Sequence, residues 1–225
     1  MFIRNDNTLK WKWIGYGALI TCALVLLCIF GLDKILFNLI NNPSCNVNVP
    51  DTTNGLCVIA LLFGKIFDWK VWLGFSVLAV AVFFLYKAFT NERDFRYAFI
   101  KIKNSYGFYI LSSIVMCGII TKILKIIIGR ARPIFADPTL FNMFSQSHEF
   151  HSMPSGHTAI SFAGLVMIGM LVPRMKWITW TLAIIIGASR VYVGAHWVGD
   201  VIFGAFLGMV CADFAKALLK KINSK

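Results

Sequence analysis

Three short stretches of this sequence set cations, histidines and a carboxylate beside long apolar runs. In the first, Lys125-Ile-Ile-Ile-Gly-Arg-Ala-Arg132-Pro133, the outer cations stand seven residues apart. That is about two helical turns, so a helix through them would present both on one face, with Pro133 ending it. Two cations on one face form an anion clamp, and the planar Arg fork suits phosphate. In the second, Pro154-Ser155-Gly156-His157-Thr158 directly precedes an apolar run. Ser155 suits an N-cap, Gly156 lets backbone approach a ligand, and a helix N-terminus binds anions through free N–H groups and its dipole. In the third, Ser189-Arg190 is followed by His196 and, four residues on, Asp200. A carboxylate one helical turn from a histidine sets its tautomer and leaves the other ring nitrogen free to attack. Each stretch has a bland reading by itself: snorkelling cations, a capped helix, a structural His–Asp pair. Together they supply the parts of in-line phosphoryl transfer through a histidine, which is mostly positioning and charge stabilisation.

The elements that must position these residues are membrane helices. The chain is 58% hydrophobic, with a mean hydropathy of +0.73. Its apolar residues collect in runs near the roughly 20 needed to cross a bilayer. Six spans are predicted, at about 13–32, 71–89, 107–128, 158–173, 177–193 and 198–214, in one domain covering 1–225. The basic N-terminus before the first run resembles a signal peptide. That run is longer than a signal core and lacks a small-residue cleavage site, so it reads as an uncleaved helix. A shorter run, Leu56–Phe63, cannot cross and is expected at the interface or on the outer surface of the bundle. Net charge is +12. Most of the Lys and Arg residues fall in the N-terminus, between spans two and three, between spans four and five, and at the C-terminus. The positive-inside rule therefore puts both termini in the cytoplasm. The loops at about 129–157 and 194–197, which carry the three stretches, then share the opposite, outer face. The basic excess is accounted for by helix ends and anionic lipid, and nucleic acid is not expected as a partner.

The pattern K-x6-R-P, P-S-G-H and S-R-x5-H-x3-D, spread over about a third of the chain from Lys125 to Asp200, resembles the signature of the type 2 phosphatidic acid phosphatase family. Every signature position is present. The resemblance implies an all-α, six-transmembrane-helix bundle and a lipid phosphatase needing no metal or other cofactor. By position it makes His196 the nucleophile, Asp200 its orienting partner and His157 the general acid for the leaving group. Lys125, Arg132 and Arg190, with Ser155 and the backbone at Gly156, become the phosphate cradle. It allows phosphatidic acid, phosphatidylglycerol phosphate, undecaprenyl diphosphate and the phosphates of lipid A as substrates. The short chain points to the bacterial inner membrane with a periplasmic site, and to lipid A 1-phosphate or undecaprenyl diphosphate ahead of the others.

Other residues keep more than one reading. His148, Glu149 and His151 could join a metal site, but rim contacts to a headgroup suit them better. Arg130 could touch a second phosphate or a headgroup. Cys45 and Cys57 could form a disulfide on an oxidising outer side. Gly204 and Gly208 form a GxxxG expected to serve packing within the chain. Trp11, Trp13, Trp69, Trp72, Trp177 and Trp197 are expected in interfacial belts. A transporter or channel would place polar residues through several spans and often shows repeats, neither of which is visible. Related haloperoxidases are soluble, which the spans argue against.

Overall fold

The computed structural model describes residues 9–45, 53–68, 70–72, 74, 78, 81–82, 85 and 106–223. These residues are mostly helical, and the longest non-helical stretch is 129–155, which holds two short 3-10 turns. Helix α1 (Trp11–Leu27) passes through a π-helical turn (Cys28–Leu32) into α2 (Asp33–Ile40). The three form one continuous apolar stretch of 30 residues. Helix α3 spans Gly55–Ile66, α4 Tyr106–Ile128, α5 Gly156–Leu171, α6 Lys176–Tyr192 and α7 Val198–Asn223.

Three of these stretches, Trp11–Ile40, Tyr106–Ile128 and Val198–Leu219, are long and apolar enough to cross a bilayer. Helices α5 and α6, of 16 and 17 residues, lie where spans were expected at 158–173 and 177–193, and neither is among the three long enough to cross. At 1.5 Å per residue α5 is about 24 Å long, short of a hydrocarbon core of about 30 Å. The expected span at 71–89 lies largely outside the described residues. The first helix runs eight residues beyond its expected end at Leu32. Its π turn carries the buried stripe of Thr21, Val25, Cys28 and Ile29 onward to Asp33, which is also buried. The opposite side, including Leu19, Ile20, Leu27 and Phe30, stays exposed, as a lipid-facing surface does.

Helix α5 is the hub, packed by α4, α6 and α7. Lipid tails are as apolar as leucine, so helices associate in a membrane through close van der Waals contact and hydrogen bonds. The expected intramolecular use of Gly204 and Gly208 holds. A Cβ at Gly204 would stand 2.7 Å from the Ser155 carbonyl oxygen, and one at Gly208 2.4 Å from that of Ala159. Ser113 Oγ donates to the Ala163 carbonyl at 3.0 Å and ties α4 to the same hub. Away from the polar end, Tyr109, Val166, Met167, Ala212 and Ala215 fill the joint of α4, α5 and α7.

Aromatic placement is split. Trp11, Trp13 and Trp177 are exposed, as belt residues would be, whereas Trp197 is fully buried. Its indole donates to the Ala131 carbonyl at 3.1 Å and packs against Phe37, so it is a core residue of the polar end. Trp72 packs on Phe67, and Trp69 lies outside the described residues.

Candidate active site

The C-terminal ends of α4 and α6 and the N-terminal ends of α5 and α7 meet at one end of the bundle, around an open cavity of about 1680 Å³. Lys125, Arg132, Gly156, His157, Arg190 and His196 all line it. Residues from all three sequence stretches are thus brought to one place.

Arg132 arrives there by a different route from the expected two-turn helix. Helix α4 stops at Ile128, and Gly129 reverses the chain with φ +60°. A side chain there would collide with the Asn142 backbone, since a Cβ would lie 1.7 Å from the Asn142 carbonyl oxygen. The loop then folds on itself. Ala131 N donates to Leu140 O at 3.0 Å, Asn142 N to Gly129 O at 2.7 Å and Arg132 N to Glu149 O at 2.9 Å. Pro133 opens a short 3-10 turn rather than closing a helix. Arg132 is held by donating from Nε to His148 O and from Nη1 to Ala195 O, both at 3.1 Å. Lys125 donates from Nζ to His151 O at 2.5 Å and to Ser152 O at 3.4 Å. Arg190 is held by Ser189 Oγ and by the Ala60 carbonyl of α3, with its Nη1 end against Gly64. The short apolar run forms α3, which packs on α6 and contributes Leu61, Leu62 and Gly64 to the wall of the cavity. Burial lowers the Arg132 pKa from its ordinary value, although Asp200 favours its charge.

His196 precedes α7 instead of riding on it, and Asp200 lies in the first turn of that helix. The Asp200 carboxylate accepts from Trp197 N at 3.0 Å and from Ser152 Oγ at 2.5 Å. His196 Nδ1 faces Asp200 Oδ2 at 3.6 Å, just beyond hydrogen-bond length, and has no other partner among the described residues. Burial pushes the His196 imidazole well below the usual histidine range, while Asp200 opposes the shift. The ring is therefore neutral near pH 7, as an attacking nitrogen must be.

Ser155 occupies the N-cap position of α5, but its side chain does not cap the helix. It is buried, and its Oγ accepts from Thr158 Oγ1 at 2.9 Å. Among the P-S-G-H residues it is Gly156 and His157 that line the cavity. His148, Glu149 and His151 all line the cavity, but only His148 and Glu149 are exposed there; His151 is buried and does not stand at a rim. Arg132 lies against the His148 ring and, with burial, lowers the pKa of His148. His151 Nε2 meets the Ser145 carbonyl at 2.9 Å.

Two groups were not legible as site residues. Arg130 does not reach a headgroup. It is fully buried and bridges Asp200 Oδ1 at 2.7 Å and Asp33 Oδ2 at 2.6 Å, with Nε on the Pro138 carbonyl at 3.0 Å. Asp33 also accepts from Gly199 N at 2.8 Å through Oδ1. The available signal was an ionisable residue directly at the end of an apolar span, Asp33 after the first and Arg130 after the third, where burial calls for a partner. The second group is Asp68, which follows α3 and lines the cavity with its Oδ2 3.8 Å from His157 Nε2. Cys45 and Cys57 form a disulfide and pack with Ala60 and Val193 beside the site.

A model of the PAP2 superfamily matches residues 106–224, more than half of the chain and all three signature stretches. The protein belongs to the PAP2 superfamily. Among curated PAP2-like relatives, the lipid A 1-phosphatase of Rhizobium etli is 39% identical over 105 residues, 45% of this chain and 45% of that protein. The undecaprenyl-diphosphatase of Sulfolobus acidocaldarius is 28% identical over 198 residues, 87% of this chain and 85% of that one. The match thus spans under half the length of the Rhizobium relative. The solved transmembrane PAP2-type phosphatidylglycerolphosphate phosphatase of Bacillus subtilis superposes with a TM-score of 0.61 at 21% identity, covering 93% of this chain and 96% of that one. The shared PAP2 fold and the three long apolar helices make this an all-helical membrane protein.

Proposed function

We propose that this protein is a membrane lipid phosphatase working through a phosphohistidine at His196. The observation that carries this conclusion is the convergence of a buried, neutral His196 backed by Asp200 with Lys125, Arg132, Arg190 and the start of α5 around one cavity. The ring nitrogen of His196 attacks phosphorus as the P–O bond to the lipid breaks. Lys125, Arg132, Arg190 and the backbone at Gly156 stabilise the equatorial oxygens. His157 gives its proton to the departing lipid oxygen. In the second half it takes a proton from water, whose oxygen attacks phosphorus and releases inorganic phosphate and free His196. With the phosphate charge met by side chains, turnover should survive a strong chelator.

The leading substrates are lipid A 1-phosphate and undecaprenyl diphosphate, the chemistry named for the Rhizobium and Sulfolobus relatives. Phosphatidylglycerol phosphate and phosphatidic acid come next. We place the enzyme in a bacterial inner membrane as one six-span domain, with both termini cytoplasmic and the site periplasmic. The distribution of basic residues and the Cys45–Cys57 disulfide, which suits an oxidising compartment, support this orientation. The deciding experiment is phosphate release from purified protein across these four lipids, with and without chelator. His196→Ala should abolish release. Retained turnover in that variant would rule out the phosphohistidine, and silence on every lipid would reopen the transporter alternative.

A further inference from the structure

Asp68 has two carboxylate oxygens with different jobs. Oδ1 accepts from Lys70 N at 2.8 Å and caps the turn that follows α3. Oδ2 faces His157 Nε2 at 3.8 Å, with both side chains about one-third exposed, on the cavity wall. Among the described residues it is the one carboxylate within ion-pair distance of His157. Burial first, and then the Arg190 and Lys125 cations, pull the His157 pKa down to about 4, and Asp68 is the charged group that opposes them. A general acid must carry its proton when the leaving oxygen departs. Neighbouring cations oppose that charged form, and a neighbouring carboxylate favours it.

We propose that Asp68 is a positioning residue for His157, keeping the proton on Nε2 at the cavity wall for delivery to the leaving group. The inference rests on His157 acting as the acid. As the His196 N–P bond forms and the lipid P–O bond breaks, the bonding electron pair stays on the lipid oxygen, which takes the Nε2 proton. His157 is left neutral beside Asp68, ready to accept a proton from water in the second half-reaction. Ion pairing to the imidazolium lowers the barrier only when the leaving oxygen needs a proton.

Asp68→Asn separates the two jobs, because an asparagine oxygen can still cap Lys70 N while the charge is lost. The full-length variant should keep the wild-type thermal midpoint. On dioctanoyl phosphatidic acid, whose alkoxide leaving group needs protonation, kcat should fall on the order of 10- to 100-fold, part of the roughly 10²–10⁴ that acid catalysis supplies. The KM should change less than about threefold, and so should the rate on p-nitrophenyl phosphate, whose phenolate leaves without help. His157→Ala, run beside it, should show the same dependence on leaving group with a larger loss. If His157→Ala shows the dependence and Asp68→Asn loses both substrates equally, changes KM alone or loses nothing, the role of Asp68 is overturned and the acid stands. If His157→Ala itself loses both substrates equally, the acid role fails and the inference with it.

Discussion

Arg130→Met tests whether the buried Asp33–Arg130–Asp200 triad holds the site together. In the wild type one guanidinium lies 2.6 Å from Asp33 and 2.7 Å from Asp200, with none of the three side chains exposed. Removing the cation leaves two carboxylates facing a buried gap. Breaking a buried pair from one side costs about 3–5 kcal/mol, because the remaining charge has no solvent. Asp200 keeps Ser152 Oγ and Trp197 N, and Asp33 keeps Gly199 N, so a value inside that range is expected rather than twice it. For a chain of this size that lowers the thermal midpoint in detergent by about 6–20 °C. Arg130→Lys keeps the charge but not the fork, and should fall between wild type and Met. In the double variant Asp33→Asn/Arg130→Met one of the two orphaned charges is gone, so its loss should be smaller than the sum of the singles. Phosphate release should fall as well, since Asp200 would lose one of its anchors. An Arg130→Met protein with the wild-type midpoint and full turnover would refute the coupling of the first helix to Asp200.

Further outcomes follow from the same geometry. Burial holds His196 below the ordinary histidine pKa of about 6.5, and attack needs its neutral form, so kcat/KM should fall with acid only below about pH 6.5. A pH–rate profile whose acid limb lies higher contradicts this. Gly64→Ala would place a Cβ 2.3 Å from Arg190 Nη1, pushing the guanidinium aside while leaving the helix intact. With a charged hydrogen bond worth about 1.5–3 kcal/mol, substrate KM should rise by about tenfold or more at a near-normal thermal midpoint. An unchanged KM would remove Arg190 from the cradle. Cys45→Ser/Cys57→Ser opens a loop closed across 12 residues, with an expected loss of about 3 kcal/mol. Maleimide labelling of both cysteines in the wild-type protein without prior reduction would show that the bond is absent in the membrane.

The sequence by itself supplied the reading of the chemistry proposed above and the membrane setting. The identities of Lys125, Arg132, His157, Arg190, His196 and Asp200 and their short spacings were enough to read phosphoryl transfer, because residue type sets what a side chain can donate, accept or attack. Apolar run length is likewise a local property, so α1, α4 and α7 were legible to within a few residues at most ends. Tertiary structure decided how those groups are held. Arg132 reaches the cavity through the reversal at Gly129, not along a helix. Ser155 turns from the helix N-terminus to Thr158. Arg130 became the anchor of Asp200 because Asp33, 97 positions away, is carried inward by the π turn of the first helix. Asp68 meets His157 because α3 folds back over the cavity. The pairings of Arg130 with Asp33 and of Asp68 with His157 have no local signature. A buried charge needs a partner, but which distant residue supplies it depends on helix packing, and that is settled only when every helix is in place.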